Sequence, residues 1–124
     1  MATGHQPFPA EDGFLLVTTD AMRTVDIDIE RGWPAWTRAR WSDVVGPAQA
    51  DGLAPLNGSS PDVGVVGFTL GGGLSPFLGR SHGWAADHVV AIEVVTPDGT
   101  LRRVTPEHEP DLFWRCAADA ASVW

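Results

Sequence analysis

Apolar positions in this chain fall into short runs rather than long amphipathic stripes. Phe14–Thr18 (FLLVT) is a run of the buried-strand kind, and Met22–Ile29 sets Val25, Ile27 and Ile29 against Asp26 and Asp28, the two-residue period of a half-buried strand. Glu30-Arg31-Gly32 predicts a reversal, after which tryptophans and arginines mix from Trp33 to Trp41 without a clean period. Ser42 ahead of Asp43-Val44-Val45 predicts a helix capped by the serine oxygen, carrying Val44, Val45, Ala48 and Ala50 and stopping near Gly52; Pro47 counts against it. A helical turn is expected over Leu74–Leu78, kept short by Pro76 and Gly79. His88–Val95 reads as a strand, Pro97-Asp98-Gly99 as a hairpin turn, and Leu101–Val104 as the return strand, antiparallel to Ala91–Val95. Thr105-Pro106-Glu107-His108 has a cap, a first-turn proline and an acidic group, which predicts a helix start before the apolar anchor Asp111-Leu112-Phe113-Trp114. Short strands and turns with few helices predict an α+β class.

Between the first helix and the hairpin lies a stretch carrying Gly58, Gly64, Gly67, Gly71, Gly72, Gly73, Gly79 and Gly83. Valines and a phenylalanine separate these glycines, so the stretch is not a linker. Glycine inside regular structure costs roughly 0.5–1 kcal/mol against alanine, so the clustering needs a cause. One cause is a large polyanionic or planar ligand held by backbone N–H groups. The other is a set of tight turns between short buried strands. Gly71-Gly72-Gly73 exceeds what a reversal requires, which favours the ligand. The spacing does not match a GxGxxG dinucleotide fingerprint between strand and helix.

Composition narrows the partners. A chain of 124 residues suits one domain, and a net charge of −8 without any basic run argues against nucleic acid. The only cysteine, Cys116, excludes an internal disulfide and supplies no metal-ligand pattern, so no metal is expected. No apolar run reaches the ~18 residues of a membrane helix, and the N-terminal residues lack the regions of a signal peptide. No membrane partner and a cytoplasmic location are therefore expected. Ser75 lacks a nucleophile elbow, and His82, His88 and His108 read as surface or packing residues.

Taken in order, Gly58-Ser59-Ser60-Pro61-Asp62-Val63-Gly64-Val65-Val66-Gly67, Gly71-Gly72-Gly73, Arg80–Gly83, Ala85-Ala86-Asp87, the EVVTPDG segment and Asp111-Leu112-Phe113-Trp114 resemble the FAD-binding domain of the PCMH type. The branch is that of FAD-linked oxidases similar to the berberine-bridge enzymes, and the likeness runs from Gly4 to Trp114. It implies an α+β domain, mainly part of the second FAD subdomain, with a mixed sheet and flanking short helices. FAD would lie extended, with loops like Ser59–Gly73 around its pyrophosphate. The cofactor-binding residues it implies are His5, Ser59, Ser60, Val63, Gly64, Val65, Gly67, Gly71, Gly72, Gly73, Asp87 and Val94. Asp87 is expected to hold a neighbouring loop by accepting backbone N–H groups.

His5 stands in the place of the family's Gly-His pair, which implies a covalent bond to the flavin 8α-methyl carbon. Ser60 stands where doubly linked members carry a cysteine. A hydroxyl is a far poorer nucleophile than a thiolate, so at most one link is expected. The implied activity is hydride transfer from a small-molecule substrate to flavin, with dioxygen as acceptor. The chain would carry part of the cofactor site and no substrate domain, leaving catalytic residues and oligomeric state unassigned. The rival expectation is a noncatalytic truncated domain or pseudogene product that binds nothing tightly.

The chain also departs from the resemblance. The first wall of the cofactor cleft is expected to be missing, because so little precedes His5. After Trp114 the family continues near Ala-Leu-Arg-Gly-Gly, whereas this chain reads Arg115-Cys116-Ala117-Ala118-Asp119. Restoring one base after the Trp114 codon of a plausible coding string recovers the family pattern. Residues 1–114 are therefore expected to form a partial FAD-binding domain and residues 115–124 a frameshifted tail. Arg38-Ala39-Arg40-Trp41 replaces Gly-Ala-Arg-Trp, at a cost of roughly 1 kcal/mol if Arg38 needs positive φ.

Overall fold

The structure, a computed structural model, describes Gly13 and residues 25–28, 33–36 and 39–117. The expected strand at Phe14–Thr18, His5, Arg38 and the last residues of the expected tail lie outside the described residues. Strands β1 (Val25–Asp28) and β2 (Trp33–Trp36) pair antiparallel, Val25 opposite Trp36 and Asp28 opposite Trp33. The second strand gave no periodic signal because it is short and contains Pro34, which an edge position tolerates.

Helix α1 (Trp41–Ala50) begins two residues earlier than a Ser42 cap implies. Arg40 is the cap residue, and its N–H donates to Asp43 Oδ2 at 2.9 Å, so a carboxylate reaching back replaces the expected Ser42 oxygen. The first-turn amides that a helix cannot satisfy internally go to the following loop. Trp41 N–H donates to the Val63 carbonyl at 3.1 Å and Ser42 N–H to the Pro61 carbonyl at 2.9 Å. Helix α1 buries Trp41, Val44 and Ala48 and ends at Ala50, after which Gly52 at φ 72° reverses the chain.

Helix α2 (Val65–Leu70) lies in the glycine-rich stretch. Ala39, Trp41, Val44 and Val65 form the first core, with Val45 and Phe68 against it, and the Trp41 and Phe68 rings meet edge to face at 5.5 Å. The turn expected over Leu74–Leu78 comes later: residues 76–78 turn and α3 (Gly79–His82) follows. A 3-10 turn occupies Ala85–His88, so β3 is Ile92–Val95 and shorter than predicted. It pairs antiparallel with β4 (Leu101–Val104), Ile92 opposite Val104, as the hairpin signal implied. Among the described residues both sheets are two-stranded and antiparallel, so only the antiparallel part of the expected mixed sheet is seen, flanked by short helices in an α+β arrangement.

Helix α4 (Pro110–Ala117) starts after the predicted Thr105 cap. The Thr105 hydroxyl accepts the Glu107 and His108 N–H groups at 3.2 and 3.0 Å, closing a turn of its own, and Glu109 at φ 54° breaks the chain before the helix. The second core is Val104, Phe113 and Ala117, with Val89, Ile92 and Leu112 beside it. The helix runs unbroken through Trp114 and Arg115, where the tail was expected to begin. Arg102 joins hairpin to helix, its guanidinium lying 3.3 Å from Asp98 Oδ2 and 3.2 Å from Glu109 Oε2. The Thr96 hydroxyl and the Thr100 N–H hold the Asp98 carboxyl well below the usual carboxylate range.

Candidate functional site

The chain from Ser59 to Gly67 is fixed by its carbonyls and leaves its amides open. Pro61 and Val63 turn their carbonyls to α1, and Val65 N–H donates to the Ala39 carbonyl at 2.9 Å. These bonds flank an antiparallel bridge between Arg40 and Gly64. In such a non-bonded pair the central residue's own N–H faces away from the partner strand, so the Gly64 amide points to the other side. Among the described residues, the amides of Ser59, Ser60, Asp62, Val63, Gly64, Val66 and Gly67 make no hydrogen bond. Gly64 is half-buried and the others are exposed.

Gly67 sharpens this. It sits inside α2, where glycine is roughly 1 kcal/mol worse than alanine, yet a Cβ there would meet nothing within 4 Å. The described chain gives no packing reason for it. Beside the loop, α1 and Asn57–Pro61 enclose an open depression of about 360 Å³, walled by Trp41, Val45 and Pro61, with Ser42, Asn57 and Ser59 as its polar side chains. None of these side chains is ionisable.

At Gly71 and Gly72 the chain spends its own amides, while those of Gly73, Leu74 and Ser75 make no hydrogen bond among the described residues. Gly71 and Gly72 donate to the Gly67 and Thr69 carbonyls, both at 3.1 Å, and so cap α2. The Gly72 and Gly73 carbonyls accept the Ala86 and Ala85 N–H groups at 3.0 and 2.9 Å. A Cβ on Gly73, at φ 70°, would stand 2.7 Å from Ala85 Cβ and 2.9 Å from the Phe68 ring. Gly58 is likewise filled, its Cβ position 2.8 Å from that ring. For these glycines turns and packing supply the cause that the sequence left open.

The remaining sequence-predicted residues divide the same way. Asp87 Oδ2 accepts the Trp84 N–H at 2.9 Å, a cap on its own 3-10 turn three residues back. Val65 is fully buried in the first core and its amide is already engaged, so neither group is open to a ligand. Val94 is half-buried on β3. Ser59, Ser60, Val63, Gly64 and Gly67 share the open run. His5 lies outside the described residues. Sequence reasoning passed over Val66, whose amide belongs to the run, and the pair Arg40 and Asp62, whose Nη1 and Oδ1 are 3.3 Å apart. A signal for that pair existed: Arg40 is the only arginine or lysine between Ala39 and Gly79. Among the described residues there is no group of three or more His, Cys, Asp or Glu placed to hold a metal, and no helix is long and apolar enough to cross a membrane.

Residues 2–105 match the FAD binding domain family. The chain is 37% identical over 117 residues to the FAD-dependent monooxygenase prx3 of Penicillium roqueforti, covering 90% of this chain and 22% of that protein. Among solved structures, xylooligosaccharide oxidase from Myceliophthora thermophila C1 superposes with a TM-score of 0.72 at 33% identity, over 79% of this chain and 21% of that one. Glucooligosaccharide oxidase from Acremonium strictum, whose FAD is 6-S-cysteinyl and 8α-N1-histidyl, does so with a TM-score of 0.71 at 30% identity, over 79% and 21%. The chain thus spans about a fifth of the length of these relatives.

Proposed function

The chain belongs to the FAD binding domain family, in the PCMH-type form of the berberine-bridge-like FAD-linked oxidases, and from that premise we propose that its Ser59–Gly73 segment is the part of an FAD site facing the pyrophosphate and the adjoining flavin. The observation that carries this reading is the run of open amides from Ser59 to Gly67 around a helical glycine with nothing against it. Amides already oriented, with no Cβ at Gly64 or Gly67 to hold a ligand off, fit a phosphate-bearing group approaching closely. The Ser59 and Ser60 hydroxyls add donors. Gly71 and Gly72 close α2, Gly73 and Asp87 hold the turn that follows it, and apolar contact with the cofactor is assigned to Val63 and Val94.

When bound, FAD supplies the hydride acceptor, and the share of this chain is to hold and orient it. The full reaction we propose takes a hydride from a small organic substrate, with dioxygen as the final acceptor. The substrate-side residues are not assigned to this chain. A histidyl link through His5 follows the example of the Acremonium strictum enzyme, and a second link is not expected because serine stands at Ser60. The rival reading, a noncatalytic truncated domain or pseudogene product without tight binding, draws on the exposure of the amide run, since ligand sites usually bury most of their ligand.

Titration of the purified chain with FAD, followed by flavin fluorescence, separates the two. Saturable binding is expected, and flavin fluorescence that survives a denaturing gel but disappears in His5→Ala would establish the link. A folded, colourless chain that FAD does not perturb favours the rival. The division at Trp114 belongs to the same proposal, and reading the coding DNA in all frames tests it: an uninterrupted frame with other codons removes the frameshift.

A further inference from the structure

The loop assigned to the pyrophosphate carries a carboxylate of its own. Asp62 lies among the open amides with its side chain 79% exposed, and an approaching dianion meets like charge there. Arg40 Nη1 stands 3.3 Å from Asp62 Oδ1. From Ala39 to Gly79 no other arginine or lysine is present, while Asp43 and Asp51 add further negative charge. Asp43 already accepts the Arg40 backbone N–H.

An ion pair in this place acts as a mechanical tether or as a neutraliser. The tether is redundant. Bonds from Trp41 to Val63, Ser42 to Pro61 and Val65 to Ala39 already moor the segment, and a pair with side chains 41% and 79% exposed adds little to that hold. In the described segment from Ala39 to Gly79 Arg40 is the one positive charge, Arg38 lying outside the described residues. We propose that Arg40 neutralises Asp62 at the edge of the open-amide run, and that this pairing sets the affinity of the loop for its anionic ligand. The proposal rests on the FAD reading.

The test measures dissociation constants for FAD and for inorganic pyrophosphate on the unaltered chain, Arg40→Gln, Arg40→Lys, Asp62→Asn and the Arg40→Gln/Asp62→Asn double variant, at low and physiological salt. Circular dichroism melting checks that each variant is folded. Neutralisation predicts binding about 5-fold weaker in Arg40→Gln, near-normal binding in Arg40→Lys, about 2-fold tighter binding in Asp62→Asn and recovery in the double variant, with all differences shrinking as salt rises. A tether predicts weaker binding in Arg40→Gln and Asp62→Asn alike, with no recovery, and that pattern overturns the proposal. If FAD binds and none of the variants differs, the proposal falls and the cofactor reading stands. If pyrophosphate binds and FAD does not, the cofactor reading falls and recovery on pyrophosphate decides the role of Arg40. If neither binds, both fall.

Discussion

Between Ser59 and Gly67 the chain leaves its amides in solvent and a helical glycine uncovered, whereas between Gly71 and Gly83 it fills the same kind of position with its own atoms. The difference follows from which backbone group is spent on the fold. In the first region carbonyls point to α1, which frees the amides. In the second, the Gly71 and Gly72 amides cap α2, the Gly72 and Gly73 carbonyls receive the 3-10 turn, and Phe68 and Ala85 crowd the Cβ position of Gly73 although its amide makes no hydrogen bond. A glycine-rich stretch therefore holds two populations, and only the open one invites a ligand.

The largest expected effect lies in the filled region. Gly73→Val should cost about 3 kcal/mol or more, because positive φ and overpacking against Ala85 and Phe68 act together, and a thermal melt measures it. Gly67→Ala should break the symmetry in sign. The free chain gains up to about 1 kcal/mol of stability from helix propensity, while FAD binding weakens about 10-fold because the new methyl stands where the ligand approaches. If Gly67→Ala raises the melting temperature and leaves affinity untouched, the open region is not the ligand face.

The smallest effect is a control outside both regions. Asp98 has its carboxyl pKa lowered in the folded chain, so its contribution is complete above the unfolded value of about 3.9 and is lost as pH falls through the lower folded value. Asp98→Asn should melt slightly below the unaltered chain between about pH 5 and 7, converge with it in strong acid, and bind FAD unchanged.

Much of the C-terminal hairpin was legible because its signals are local: Pro97-Asp98-Gly99 fixes the reversal and the flanking strands follow. The α+β class was legible too. What could not be read was set by partners distant in sequence. Ser42 has the chemistry of a cap, but the Pro61 and Val63 carbonyls draw the helix start back to Trp41. Thr105 has it as well, and spends it on a turn. Helix α2 was hidden because Gly64, Gly67 and Gly71 mask its propensity, and its Val65 and Phe68 join a core completed from α1. The sorting of glycines into open and filled depends on Phe68 and Ala85, whose proximity no spacing rule announces.

Arg102 has a consequence for how this chain acquires its shape. Its partners Thr96, Asp98 and Glu109 lie six, four and seven positions away along the backbone. Contacts that close such small loops form rapidly and need no distant segment to arrive first. The hairpin and the start of α4 are thus equipped to nucleate as a local unit, while the mooring of the Pro61–Val65 segment onto α1 must wait for a longer excursion to close.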